Sequence, residues 1–454
     1  MITLIGAGLA GTLLAIELNK RGFPVEIYER RADRRKVVQD AGRSINLAVS
    51  ARGIHALEQA GIWPAVQAIA VPMYGRRIHA APSQAVSRQL SFQPYGKNPS
   101  EHINSVSRAD LNVTLLNAAA ERNIPTHFNH RCTDANMETG ALLFHNEETN
   151  RAFTVKAETV IAADGANSAV RYPMLKQPRF NYSQHYLDYG YKELTIPAGP
   201  NGTHVMDAHS LHIWPRGNYM LIALPNPDGT FGCILFLPFE GDPSFATLES
   251  AEDVEEFFEI HFADVVPLMP QLAENFAANP VASMVTIRCS PWNVGGRFLL
   301  LGDSAHAIVP FFGQGLNAAF EDCTILLDIL DRIGPDWPRV FDEFSQSRCQ
   351  DTDAISEMAL ENFIEMRDRV ADPAFLFRKR AELALEARFP KFFVPKYAMV
   401  TFHRIPYSVA LSRGRIQEDI LATVCNGIDD LDNLDWQRAG VLIARDLTPL
   451  QFKT

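Results

Sequence analysis

Met1-Ile2-Thr3-Leu4-Ile5-Gly6-Ala7-Gly8-Leu9-Ala10-Gly11, residues 1–11, is the stretch from which the fold can be read. The apolar run to Ile5 suits a buried parallel strand. Gly6 to Gly11 follows as a G-x-G-x-x-G turn. In such a turn Gly6 permits the sharp reversal, Gly8 lets backbone amides approach a pyrophosphate, and Gly11 lets a helix pack closely on the strand. Leu13 to Lys20 holds good helix formers, and Gly22 stops them. The helix start, with Leu9 and Ala10, would offer unpaired N–H groups and a positive dipole end to phosphates. Val25 to Tyr28 reads as a second strand. It ends at Glu29, 18 residues past Gly11, where a carboxylate accepts from ribose hydroxyls, with Arg30 beside it. The unit is β-α-β and its ligand a dinucleotide.

Two later segments separate FAD from NAD. A strand over Thr159–Ala163 runs into Asp164-Gly165, and another over Phe298–Leu301 runs into Gly302-Asp303. Asp303 is placed to accept from a ribityl hydroxyl. Gly313-Gln314-Gly315-Leu316-Asn317, opening the next helix, can aim N–H groups at the pyrimidine end of a flavin. Such donors stabilise the negative charge of the reduced ring. A second G-x-G-x-x-G is absent from the sequence, so a nicotinamide co-substrate would make a transient contact without a domain of its own.

Between these pieces the pattern changes. Tyr189–Leu194, Leu211–Trp214, Tyr219–Ala223 and Gly232–Leu237 read as short strands separated by turn signals, with one helix near residues 251–262. Ser107–Arg122 reads as a helix. From Asn317 onward the sequence is helical, with breaks at Pro335, Pro373, Pro390, Pro395 and Pro406. The expected fold is α/β, α+β overall. A Rossmann-like FAD-binding domain (1–72, 101–176 and 288–334) carries an inserted antiparallel-sheet substrate domain (73–100 and 177–287). A C-terminal helical region (335–454) follows.

The 454 residues are 47 % apolar and 21 % charged, an ordinary globular balance, so a large core needs no disulfides or metals. A net charge of −11 argues against nucleic acid or an anionic membrane as partner. The six cysteines form no Cys-x-x-Cys pair and no Cys/His metal cluster, which fits buried thiols in a reducing compartment. Neither a signal peptide nor an apolar run of the roughly 20 residues that span a bilayer is visible. The expectation is a soluble cytoplasmic protein, monomer or homodimer.

The three flavin segments resemble the flavoprotein hydroxylases of the para-hydroxybenzoate hydroxylase type. Gly42-Arg43-Ser44-Ile45-Asn46-Leu47, Tyr191-Lys192-Glu193-Leu194, Leu211-His212-Ile213-Trp214-Pro215, Met358-Ala359-Leu360-Glu361-Asn362 and Pro395-Lys396-Tyr397-Ala398 resemble, more closely, the kynurenine 3-monooxygenase family. The similarity runs from residue 1 to about residue 425. It implies NADPH as reductant of FAD, O2 as co-substrate, and oxygen transfer through a flavin C4a-hydroperoxide. The implied reaction converts L-kynurenine to 3-hydroxy-L-kynurenine in tryptophan catabolism. An aniline activates its own ortho position, so no side chain is required as a strong base, and none is assigned as catalytic.

By the same resemblance the substrate-carboxylate arginine falls on Arg76, not Arg77. Neighbours on a strand point to opposite faces, so one of the pair should enter the pocket. Tyr95 would donate to the same carboxylate, with Asn362 and Tyr397 also on the substrate side. Read from spacing alone, Asn362 shares a helix face with Met358 and Met366, a pattern equally suited to packing. Leu211, Ile213, Leu224, Phe236, Pro310, Phe311, Phe312 and Met366 are the apolar candidates for the pocket wall. Arg43, Asn46 and Arg108 join the cofactor set. His212 and His306 admit either a chemical or a purely structural role. Two alternatives stay open: a hydroxylase of another aromatic acid, and a non-catalytic flavin-fold binding protein.

Overall fold

Ile2–Ile5, buried at every residue, is an inner strand of a six-stranded sheet. It pairs in parallel with Val25–Tyr28 on one side and Thr159–Ala162 on the other. Phe298–Leu300 continues the sheet in parallel. Asn293–Val294 closes one edge antiparallel, and Thr126–His127 closes the other. Burial on both faces explains why Ile2–Ile5, Thr159–Ala162 and Phe298–Leu300 are nearly continuous apolar runs. This computed structural model describes residues 1–36, 45–80, 90–366 and 372–451. Arg43 lies outside the described residues.

The helix after the first strand spans Leu9–Lys20. It starts four residues before the Leu13 expected from composition, because propensity undervalues Gly11 inside the first turn. Packing demands that glycine. A Cβ on Gly11 would stand 2.2 Å from the Gly6 carbonyl oxygen, and one on Gly6 (φ +103°) 2.5 Å from the Ala163 carbonyl oxygen.

Seven strands form the second large sheet, in the order Ala282–Ser290, Asn181–Ile196, Phe231–Pro238, Met220–Pro225, Ser210–Pro215, Gly75–Ile78 and Ser91–Pro94. Every pairing is antiparallel except one: Gly75–Ile78 runs parallel to Ser210–Ile213. That exception arises because Gly75–Ile78 enters from a distant part of the chain rather than through a hairpin. The sheet is two-faced with period 2. Leu211, Ile213, Met220, Leu224, Ile234 and Phe236 join one cluster; Trp214, Leu221, Ala223, Cys233 and Leu235 join another, under the helix Ala251–His261. Ser250 and Asp253 start that helix with a reciprocal capping box.

Two smaller sheets were not legible from the sequence. His130–Ala135, Ala141–Asn146 and Arg151–Lys156 form a meander, and Asn46–Val49, Ile103–Ser107 and Ala70–Met73 form a three-stranded sheet. The meander leaves many positions exposed, which erases an apolar signature. In the helical region the prolines begin helices rather than merely ending them. Pro373 opens Pro373–Arg388, and Pro395 and Pro406 precede Lys396–Thr401 and Tyr407–Val424. Among the described residues no helix is long and apolar enough to cross a membrane, and no His/Cys/Asp/Glu group could hold a metal.

Gly11→Ala should destabilise the protein by about 1–3 kcal/mol through overpacking against Gly6. Thermal unfolding checks this; an unchanged midpoint would contradict the close approach.

Candidate functional site

The ends of the parallel strands and one face of the seven-stranded sheet enclose a cavity of about 480 Å³. At one end its wall is backbone-rich: Gly8, Leu9, Ala10, Gly165, Gly302, Asp303, Gly313, Gly315 and Leu316. A Cβ on Gly8 or Gly315 would meet nothing within 4 Å, so open space faces the chain there. Gly6 and Gly11 do not line the cavity; they shape the turn that presents Gly8.

A smaller adjoining hollow is lined by Ala7, Gly8, Glu29, Arg31, Arg34, Arg108 and Asn112. Glu29 accepts from the Ala7 N–H at 2.8 Å and the Arg31 N–H at 3.0 Å, one bond on each oxygen. Each carboxylate oxygen has a second lone pair to offer. Arg30 is exposed and lines neither space; Arg31 and Arg34 are the arginines at this hollow. Arg108 borders both spaces. Asn112, unforeseen from sequence, donates to the Ala7 carbonyl at 3.0 Å from the first turns of the helix Arg108–Glu121.

Ser304 joins the two Asp-bearing loops. Its Oγ donates to Asp164 Oδ1 at 3.0 Å and accepts from the Gly165 N–H at 2.9 Å. Asp164 Oδ2 also accepts from the Ala169 N–H at 2.8 Å. The Asp164 side chain therefore holds its loop rather than lining the cavity. Burial raises its pKa, against these hydrogen bonds. Asp303 differs: it keeps accessible surface, but that surface opens on the cavity. Desolvation by the walls raises its pKa, and Arg108 and His306 pull it back.

The loop 313–317 is braced from behind. Asn317 Oδ1 accepts from the Ser50 and Gly53 N–H groups at 2.9 and 3.3 Å, and its Nδ2 donates to the Ala48 and Gly313 carbonyls at 2.8 Å each. Its side chain is thus consumed as a brace behind the loop. Gln314 accepts from the buried Tyr407 hydroxyl at 3.0 Å. Deeper, Arg52 pairs with Glu321, and Arg348 pairs with Glu321 (3.2 Å) and Asp322 (2.9 Å). His306 Nε2 lies 2.5 Å from Asp322, and its ring stacks on Trp292. Burial would raise Asp322, but His306 and Arg348 outweigh it and hold its pKa low. His212 sits in a chain with His79 and Asp264 on the sheet's far side, and burial lowers its pKa to about 4. Neither histidine lines the cavity.

The other end of the cavity is aromatic and apolar. Leu211, Leu224, Phe236, Pro310, Phe311, Phe312 and Met366 line it; Ile213 is buried behind them and does not. Met220, Ile222 and Ile234 also line it, and their alternation with Leu224 and Phe236 was the available signal. Tyr95, Tyr397 and Phe312 form a column, with ring centroids 5.7 and 5.6 Å apart. Arg76 stands 5.5 Å from the Tyr95 ring and 5.1 Å from the Tyr397 ring. Arg77 points the other way, to Asp207 at 3.0 Å. Arg76 Nε and Tyr95 Oη are buried without a hydrogen-bond partner. Burial opposes the Arg76 charge, yet Tyr397, Tyr95 and Glu365 outweigh it and raise its pKa. Asn362 does not line the cavity; its Nδ2 donates to the Phe311 carbonyl at 2.6 Å and contacts Met366 Sδ at 3.3 Å. Asn46, on the cavity wall, donates to Ser105 and Asn226, each at 2.8 Å, tying the small sheet to the large one.

Residues 1–333 match the family described as "FAD binding domain". The chain is 47 % identical over 449 residues to the kynurenine 3-monooxygenase of Myxococcus xanthus, covering 99 % of this chain and 96 % of that protein. It is 45 % identical to the enzymes of that name from Xanthomonas axonopodis pv. citri (99 % and 97 % covered) and Flavobacterium psychrophilum (93 % and 93 %). The M. xanthus similarity extends past residue 425 into the C-terminal helices. Among solved structures, 2-methyl-3-hydroxypyridine-5-carboxylic acid oxygenase shares the fold, with a TM-score of 0.65 at 20 % identity over 83 % of this chain and 94 % of that one. Tetracycline destructase Tet(55) shares it with a TM-score of 0.58 at 16 % identity, over 81 % and 89 %.

The residues fit FAD: open backbone at Gly8 and Gly315, a carboxylate at Glu29, and Asp303 facing the cavity. A flavin hydroxyl donating to Asp303 favours its ionised form. Because the pKa of Asp303 starts raised, FAD affinity should fall as pH drops through a window above the ordinary carboxylate range. Asp303→Asn should flatten that dependence and cost about 1.5–3 kcal/mol of binding at neutral pH. Flavin fluorescence on release measures both; an identical pH profile in the variant would remove Asp303 from the contact.

Proposed function

The chain belongs to the kynurenine 3-monooxygenase family, and from that premise we propose that it is an FAD-dependent monooxygenase that converts L-kynurenine to 3-hydroxy-L-kynurenine. One observation carries the assignment beyond family membership. Two buried donors without partners, Arg76 Nε and Tyr95 Oη, stand at the aromatic end of a cavity whose other end suits a flavin.

A buried guanidinium N–H with no acceptor is costly, and a carboxylate is the group that relieves it. The planar guanidinium of Arg76 offers a fork to both carboxylate oxygens, which a lysine could not. Tyr95 adds a neutral donor, since burial pushes its phenol pKa far up and keeps the proton on oxygen. Anchored there, the aniline ring of kynurenine lies among Leu211, Leu224, Phe236, Phe311 and Phe312, walls that exclude water and fix the ring's orientation. Orientation decides which ring carbon reacts, because the amino group already activates its ortho position. FAD, when bound, supplies the redox chemistry and the activation of O2.

We propose NADPH as the reductant, making a passing contact, because the sequence carries one G-x-G-x-x-G and no second nucleotide loop. Phe311 is held by the Asn362 hydrogen bond to its carbonyl, so Asn362 acts on the substrate through the pocket wall. The six free cysteines suit the reducing cytoplasm as the enzyme's location.

L-kynurenine should stimulate NADPH oxidation and yield 3-hydroxykynurenine; lack of product with intact bound flavin would exclude this substrate. Arg76→Met should raise KM for kynurenine by about two orders of magnitude, with kcat changing less, since it removes one side of a buried charge pair worth roughly 2–5 kcal/mol. Steady-state kinetics check it, and an unchanged KM would sink the assignment.

A further inference from the structure

The helix Pro373–Arg388 has two chemically different faces. Phe377, Ala381 and Leu385, spaced i, i+4, i+8, are buried in a cluster with Ile420, Leu421 and Ile443 of the later helices. Lys379, Glu382 and Glu386 fall on the opposite face. Lys379 Nζ lies 3.6 Å from Glu365 and 3.3 Å from Glu382. Glu386 lies 2.9 Å from Lys97 Nζ.

These ion pairs reach two segments that matter to the substrate end of the cavity. Glu365 immediately precedes Met366, and Lys97 follows Tyr95 by two residues. The Tyr95 segment is held on one side by the pairing of Ser91–Pro94 with Gly75–Ile78 and by stacking of the Tyr95 ring on Tyr397, and Lys97 adds a tie to the helix Pro373–Arg388. The Tyr95 N–H donates to the Tyr74 carbonyl at 3.0 Å, and the Lys97 N–H to Glu101 at 2.6 Å. The Glu386 side chain is only 8 % exposed, while that of Lys97 is 33 % exposed. A carboxylate so buried depends on its partner, and losing that partner leaves an uncompensated charge. Burial pushes the Glu386 pKa up and Lys97 draws it back.

We propose that Lys97 and Glu386 are a positioning pair for the substrate, holding the Tyr95 segment against the helix Pro373–Arg388. The pair fixes where the Tyr95 hydroxyl stands beside Arg76, and so sets affinity for the carboxylate of the amino-acid substrate. Neither residue touches the reacting atoms. The inference rests on the assignment of Arg76 and Tyr95 to that carboxylate.

The test uses the FAD-loaded full chain. Lys97→Met, Glu386→Gln and the charge-swapped double variant (Lys97→Glu with Glu386→Lys) are titrated with L-kynurenine, following flavin absorbance. The same titration is run with the kynurenine analogue lacking the α-carboxylate. Each single change should weaken kynurenine about tenfold, equivalent to ~1.4 kcal/mol, and raise KM far more than it lowers kcat. The swapped pair should recover most of that loss. The analogue, with no carboxylate to present to Tyr95, should bind the single variants as it binds the unaltered enzyme. Unchanged kynurenine affinity in both single variants overturns the proposal. So does an analogue weakened as much as kynurenine, which would mean general damage to the pocket. Where the swapped pair does not fold, the analogue comparison on Glu386→Gln decides alone. An unaltered enzyme that fails to hydroxylate kynurenine overturns the functional reading. One that hydroxylates it, with variants that bind normally, overturns only the pair.

Discussion

The site depends on one close approach of backbone to backbone. Gly6 and Gly11 leave no room for a Cβ, and the turn they form presses against Ala163 at the end of a neighbouring strand. That contact sets the first loop beside Asp164-Gly165, and Ser304 then ties Asp164-Gly165 to the loop of Asp303. Three segments spread over 300 residues of sequence thereby share one end of a sheet. Parallel strands force this outcome. All their C-terminal ends lie on the same side, and the crevice beyond them is where open α/β sheets bind ligands.

Charge is distributed around the cavity by a clear division. Behind the flavin loops, Arg52, Arg348, Glu321, Asp322 and His306 are buried and paired with one another. Paired in this way they fix the relative placement of four helices, and removing any member would strand its partner. At the aromatic end of the cavity Arg76 is half-buried, with its Nε lacking a hydrogen-bond partner and no carboxylate paired to it among the described residues. The fold pairs these five groups internally and leaves the Arg76 guanidinium at the cavity wall. Its cost is limited by the Tyr95 and Tyr397 rings that flank the guanidinium.

The seven-stranded sheet shows how alternation converts sequence into a pocket. Side chains two residues apart face the same way, so Met220, Ile222 and Leu224 line the cavity while Leu221 and Ala223 pack beneath the helix Ala251–His261. The same rule sends Arg76 inward and Arg77 out to Asp207. Depth along the face is a separate matter: Ile213 shares the inward face with Leu211 yet is covered before it reaches the cavity.

The sequence by itself determined the β-α-β start, the FAD identity of the ligand, the two-faced sheet and the arginine that enters the pocket. Each is encoded locally: glycines where a Cβ cannot stand, an acidic residue closing a strand, period-2 alternation, and residues shared with a known family. Tertiary structure alone decided the rest. Asn317 and Asn362 carry side chains suited to binding, but neighbours from distant segments take up their hydrogen bonds. Arg31 and Arg34, not Arg30, face the smaller hollow because the chain turns after Glu29. The pairing of Lys97 with Glu386 joins residues 289 positions apart, and no local pattern announces it. Hydrogen bonds and ion pairs are short-ranged, so which donors stay free for a ligand is known only once the chain has brought every competitor into place.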